Sequence, residues 1–168
     1  VVHLPGHERL LASGVSLNNF HVNTTPCSPS RSVMFTGQHT QKTGVIANLG
    51  LPPFNELASS VPTLGHLLHE QAYHTAYKGK WPLSPLTAPS DLTYGQVETT
   101  TDALLPYGFA DFNLNGDPHG SNLSGFIFDK VTASDTVGWL HDHRDDQEPW
   151  FLAVNFVNPH DIMFYSSG

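Results

Sequence analysis

Apolar and polar positions along the chain follow two periods, one typical of helices and one typical of strands. The predicted elements, in chain order, are the end of a helix at 7–14, a strand at 15–22, a helix at 62–71, a short strand at 74–78, a helix at 126–141 and a strand at 150–157. Because strands and helices alternate, the pattern predicts an α/β fold with a mainly parallel sheet flanked by helices.

Three segments refine this picture. Residues 150–157 form a continuous apolar run, which is typical of a strand buried on both faces. The predicted helix at 126–141 places Ile127, Val131, Ser134 and Val137–Leu140 on one side. Residues 81–124 are rich in Pro, Gly, Thr and Asp without a clear period, so a long loop excursion is expected there. Active sites of open α/β sheets collect at the carboxyl ends of the strands.

Composition limits the classes of function. The 168 residues are enough for one core, and 15 acidic against 7 basic residues give a net charge of −8, which argues against nucleic-acid binding. No apolar stretch approaches a membrane-spanning length. The chain starts without an initiator methionine or a signal peptide, so the compartment stays open. Thirteen prolines and fourteen glycines predict long loops, as in an enzyme with a loop-built site or in a piece of a larger domain.

The chain contains a single cysteine, Cys27, so an internal disulfide is excluded. It opens residues 27–37, CSPSRSVMFTG. Ser28 suits a helix N-cap, Pro29 the first helical position and Gly37 the stop, which predicts a short helix directly after Cys27. The positive end of a helix stabilises a thiolate or a bound anion. Arg31, about one turn on, adds a charge that suits a tetrahedral oxyanion.

These residues resemble the sulfatase signature, Cys-x-Pro-Ser-Arg followed by three residues, an apolar residue and Thr-Gly, with Phe35 as the apolar residue. The resemblance implies that Cys27 is converted by a formylglycine-generating maturation enzyme to an aldehyde whose hydrate is the nucleophile. A buried cysteine before an ordinary helix is the plain alternative. Cysteine-dependent phosphatases resemble the segment less, because their cysteine and arginine are separated by five residues and here by three.

Two further segments follow predicted strands. Lys80, in Lys-Gly-Lys-Trp, aligns with the sulfate-binding lysine of the sulfatase segment Gly-Lys-Trp-His-Leu-Gly, although Pro82 replaces its histidine and Ser84 its last glycine. His160, in Asn-Pro-His-Asp, resembles the family histidine that contacts substrate and protonates the leaving oxygen. The alternatives are a solvated loop lysine and an exposed turn histidine. The polar residues 141–146 have metal-ligating types, but a solvated helix end is the preferred interpretation.

The resemblance implies the alkaline-phosphatase-like fold and hydrolysis of sulfate monoesters, with Arg31 holding the hydrate. It also implies a divalent cation, usually calcium, with the modified Cys27 as one ligand and two further ligand pairs outside this chain. Residues 1–168 are therefore predicted to be part of one catalytic domain that lacks its N-terminal metal-binding strand and its C-terminal portion, and to be inactive alone. Periplasmic, secreted and lysosomal locations agree with the family.

Two alternatives stay open. The chain could be a non-catalytic, truncated relative that acts as a binding module, which Pro82 and the missing metal ligands favour. It could also belong to a phosphate or phosphonate ester hydrolase of the same superfamily.

Overall fold

Two parallel strands form the centre of the structure. A computed structural model describes residues 3–51, 56–86, 102–112 and 123–164. Strand β1, His74–Gly79, pairs in parallel with strand β2, Trp150–Asn155, so that His74 lies opposite Trp150 and Gly79 opposite Asn155. A parallel bridge also joins Ala76 to Ala110. The predicted parallel sheet is confirmed in these two strands, whose carboxyl ends lie side by side.

Helices pack against this sheet. In chain order the helices are α1 Pro5–Ser13, α2 Cys27–Thr36, α3 Thr40–Thr43, α4 Leu64–His69 and α5 Ser124–Asp142, with 3-10 helices at Leu105–Tyr107 and His160–Phe164. Helices α4 and α5 contact the strands. Local sequence explains two of the boundaries. Gly37 adopts a left-handed conformation at the end of α2, as predicted, and Thr63 forms a capping box with His66 at the start of α4. No helix among the described residues is long and apolar enough to cross a membrane.

An aromatic cluster forms the core and joins α2 to the sheet. Phe35 of α2 packs against Tyr77, Trp81 and Phe109, with ring centroids 5.6, 6.0 and 5.6 Å away. All four side chains are buried. Burial of each large apolar side chain contributes about 1.5–3 kcal/mol. This contact holds the segment that begins at Cys27 against the carboxyl-terminal half of β1.

The predicted loop excursion at 81–124 contributes more residues to the core than its sequence indicates. Its described part at 102–112 is folded, and it places Leu104, Tyr107, Phe109 and Phe112 in the core. These residues show no helix or strand period because a short 3-10 turn and one bridge, not a regular element, orient them. Residues 87–101 and 113–122 of the same prediction lie outside the described part of the chain.

Three sequence predictions are wrong. Residues 15–22 are not a strand, and Val15 and Phe20 are 87% and 74% exposed; within the described ranges no neighbouring strand pairs with them, and a strand without a partner is not stable. Strand β2 is not buried on both faces, because among the described residues it lies at an edge of the sheet and only Ala153 of the strand is buried. On α5 the sheet covers Thr132 and Trp139, whereas Val137 is exposed.

Candidate active site

Cys27 is the first residue of α2, one position earlier than the predicted helix start, and it is half-buried. Ser28 is therefore inside the helix and is not its N-cap. Its backbone N–H donates to Oδ1 of Asn48 at 3.0 Å, and its Oγ accepts from the N–H of Leu49 at 3.1 Å. The buried serine thus ties the first turn of α2 to a neighbouring loop and fixes the position of Cys27.

Arg31 connects α2 to the carboxyl ends of both strands. Its Nη1 donates to Oδ1 of Asn155 at 2.6 Å, and it lies 3.4 Å from both the hydroxyl of Tyr77 and the carbonyl oxygen of Lys80. A hydrogen bond with a charged donor is short and about twice as strong as a neutral one. The half-buried guanidinium is therefore oriented one helical turn after Cys27, where it adds positive charge.

The backbone at Gly79 and Lys80, where β1 ends, lies close to the backbone of β2. Gly79 has a φ of +88°, and a β-carbon at this position would overlap the backbone carbonyl of Asn155, so only glycine fits. The N–H of Lys80 donates to that same carbonyl at 2.9 Å, and the hydroxyl of Tyr77 donates to the Lys80 carbonyl at 2.6 Å. Lys80 itself is 2% exposed, so it is not a solvated loop lysine.

The other lysine of the segment, Lys78, has a separate environment. Its Nζ donates to the backbone carbonyl of Asp111 at 2.6 Å. Burial lowers the pKa of Lys78 from its ordinary value, and the nearby charges of Asp111 and Asp135 oppose this change. Lys78 is therefore engaged with the loop at 102–112.

The residues after Lys80 belong to the core. Trp81, Pro82 and Ser84 are all buried, and the indole of Trp81 donates to Oγ of Ser84 at 2.9 Å. The serine that replaces the family glycine therefore satisfies the one polar group of the tryptophan. Pro82 has no side-chain donor, so this position contributes no sulfate ligand.

His160 begins the 3-10 helix His160–Phe164, beyond the carboxyl end of β2. Its Nδ1 lies 2.8 Å from Oδ1 of Asp161, whose side chain is 3% exposed. Asp129 of α5 fixes the preceding turn, because its carboxylate accepts the backbone N–H groups of Val157 and Asn158 at 2.6 and 3.0 Å. His160 is thus held by a carboxylate and is not merely an exposed turn residue.

The structure brings the predicted Arg31 and Lys80 to one edge of the sheet and places His160 beyond the same end of β2. Sequence reasoning missed Asn155, which accepts the short hydrogen bond from Arg31. Its signal was present, since Asn155 is the one polar residue in the apolar run 150–157. Asp129 gave no comparable signal, because exposed helical carboxylates are common.

The described residues do not fit a calcium site beside Cys27. Calcium takes six to eight oxygen ligands. Among the described residues, the one group of three or more metal-ligating side chains is His74, Asp111 and His143, which contains two imidazoles and includes the first residue of β1. Residues 141–146 are exposed at the end of α5, as interpreted, except for half-buried His143, whose ring stacks on Trp139.

The whole chain resembles known sulfatases in sequence. The Sulfatase family model matches residues 2–168. An uncharacterized sulfatase of Schizosaccharomyces pombe is 34% identical over 95% of this chain and 34% of its own length. The uncharacterized sulfatase YidJ of Escherichia coli is 32% identical over 91% and 33%. Mouse arylsulfatase G is 32% identical over 45% of this chain. The chain spans about a third of the length of the first two relatives.

The fold agrees with this relationship. The crystal structure of the putative sulfatase YidJ from Bacteroides fragilis covers 99% of this chain with a TM-score of 0.68 at 19% identity, and the chain covers 41% of that structure. The described strands and helices are thus part of the alkaline-phosphatase-like sulfatase fold. The family match covers nearly every residue, the signature at Cys27 included, and the chain therefore belongs to the sulfatase family.

Proposed function

We propose that this chain forms the nucleophile-bearing part of one sulfatase catalytic domain that hydrolyses sulfate monoesters through a formylglycine made from Cys27. One observation carries the proposal: Arg31 of the signature helix meets Asn155 and the backbone of Lys80 at the carboxyl ends of β1 and β2. Two separate family motifs and the last residue of β2 are therefore adjacent where α/β enzymes bind their substrates.

Cys27 fits the modification and the chemistry. It is half-buried in the first turn of α2, where the partial positive charge of the helix end stabilises oxyanions. The hydrated aldehyde would supply a hydroxyl that attacks sulfur while the alcohol leaves, and a second hydroxyl whose deprotonation releases sulfate and restores the aldehyde. Water then does not have to attack the sulfate directly.

The other residues have distinct proposed roles. Arg31, oriented by Asn155, would hold the hydrate, and Lys80 would bind sulfate oxygens with its ammonium group. His160 would protonate the leaving oxygen. Its pairing with Asp161 through Nδ1 would orient the imidazole. The family implies a divalent cation, expected to be calcium, but the described residues do not supply its ligands, so no step here depends on it.

The first test is the chemical state of Cys27. The full chain is expressed together with a formylglycine-generating enzyme, and the peptide that contains Cys27 is analysed by mass spectrometry. We expect the mass change for conversion of CH₂SH to CHO, and no such change in Cys27→Ala. An unmodified thiol in the wild-type peptide would contradict the formylglycine mechanism and favour a non-catalytic binding module.

The second test is the reaction itself, measured on the full protein with matched aryl sulfate and aryl phosphate esters. Lys80→Ala should lower kcat/KM for the sulfate ester by about 10²-fold, the usual effect of removing one donor to a developing anion. Lys42→Ala, at an exposed position of α3, is the control and should change little. Faster cleavage of the phosphate ester would show that the substrate class is wrong and that the protein is a phosphate ester hydrolase.

A further inference from the structure

A second polar cluster lies at the other end of the sheet from Cys27. His74 is the first residue of β1, Asp111 follows the segment that bridges to β1, and His143 is the C-cap of α5. One potential ligand atom from each of the three lies within 4.8 Å of the others. Three elements that are distant in sequence thus converge on one point, and none of the residues belongs to a sulfatase motif discussed above.

The distances suit a shared metal ion. Nε2 of His74 lies 2.8 Å from Oδ2 of Asp111. Nitrogen and oxygen ligands bind zinc at about 2.0–2.2 Å, so two ligands of one tetrahedral ion are separated by about 3.3–3.6 Å, and the hydrogen bond between His74 and Asp111 would open by about half an ångström. His74 and Asp111 are about one-third exposed, which gives an ion access from solvent.

The surrounding groups orient the ligands as outer-shell partners do in metal sites. Nδ1 of His143 donates to the backbone carbonyl of Trp139 at 2.8 Å, which leaves the lone pair on Nε2. The indole of Trp139 stacks on the His143 ring with centroids 3.9 Å apart, and its Nε1 donates to Asp111 at 2.7 Å. Trp139 therefore positions both an imidazole and the carboxylate.

We propose that His74, Asp111 and His143 bind one Zn²⁺ ion, with solvent completing its coordination. Two imidazoles and one carboxylate favour zinc and other late first-row metals over calcium, which prefers oxygen ligands alone. The ion would pin the end of α5 to the start of β1. This inference does not depend on the proposed sulfatase reaction, because none of the three residues has a role in it.

The test is a titration of the full chain, stripped of metal with a chelator, with Zn²⁺ alone. Isothermal titration calorimetry should show one saturable site, and bound Zn²⁺ should raise Tm. Absorption of Co²⁺ in the same protein reports the ligand set directly. Loss of an outer-shell partner typically weakens metal binding by about 10- to 100-fold. Because they remove ligands themselves, His143→Gln and Asp111→Asn should each weaken Zn²⁺ binding by more than this.

Two further variants test whether Zn²⁺ binding is specific to this cluster. His141→Ala, on an exposed residue of the same helix, should leave the titration unchanged. Trp139→Phe removes the donor to Asp111 but keeps a stacked ring, and should weaken binding by about 10- to 100-fold and alter the Co²⁺ spectrum. If no saturable Zn²⁺ binding is seen, or if binding persists unchanged in both ligand variants, the cluster is a metal-free hydrogen-bond network and the proposal is wrong.

Discussion

Replacement of Asn155 by alanine tests the contact on which the arrangement of the site rests. Nη1 of Arg31 carries two hydrogens and has one short bond, to Asn155 at 2.6 Å, and two long contacts of 3.4 Å. Hydrogen bonds to charged groups contribute about 1.5–3 kcal/mol. Because Arg31 is only half-buried, water compensates part of the loss. Asn155→Ala should therefore lower the free energy of unfolding by about 1–2 kcal/mol.

Urea unfolding followed by tryptophan fluorescence measures this change, with Asn19→Ala as the control. Asn19 is exposed, and its replacement should change stability by less than about 0.5 kcal/mol. Asn155→Asp separates stability from function. It keeps an acceptor for Arg31, so stability should be retained, but the added negative charge should weaken binding of an anionic ester. A loss below about 0.5 kcal/mol in Asn155→Ala would refute the view that this bond holds Arg31.

Other substitutions test the elements that support the site, each by the same unfolding measurement. Gly79→Ala should lower the free energy of unfolding by at least about 2 kcal/mol, because a β-carbon at this positive φ overlaps the adjacent strand. Gly138→Ala, where α5 has open space, is the control and should raise it by about 0.5–1 kcal/mol. Equal effects of the two substitutions would contradict this reasoning. Asp129→Ala should cost about 1–3 kcal/mol through two lost backbone hydrogen bonds. Ser84→Ala should cost about 1 kcal/mol by leaving the Trp81 indole without its acceptor, and no change would mean that water replaces it.

The sequence predicted the parts of the fold in which local pattern and tertiary contact agree. The stop of α2 at Gly37 follows from the chemistry of its capping residue, although the helix begins at Cys27 itself, and β2 follows from a continuous apolar run. The strand prediction for residues 15–22 was wrong because an alternating segment forms a strand only where another strand pairs with it. The packed residues at 102–112 could not be predicted, since their burial depends on a single bridge and not on a period.

For the candidate site, the sequence predicted candidate residues but not how their side chains are held. The motifs around Cys27, Lys80 and His160 were identifiable because their spacing is specific to a family. Asn155 was overlooked because an amide at the end of a buried strand has no motif of its own, and its role depends on where Arg31 lies. The environment of His143 could not be predicted for the same reason, because its neighbours come from β1 and a loop.

The contact of Arg31 with Asn155 also determines when the site can form during synthesis. It joins residues 124 positions apart, whereas the contacts of Arg31 with Tyr77 and Lys80 span 46 and 49. The entropy cost of closing the longer loop exceeds that of the shorter ones by less than about 1 kcal/mol. The order of synthesis separates these contacts more strongly, because Asn155 leaves the ribosome long after residues 27–37. An enzyme that modifies Cys27 cotranslationally would meet a segment whose arginine is not yet anchored.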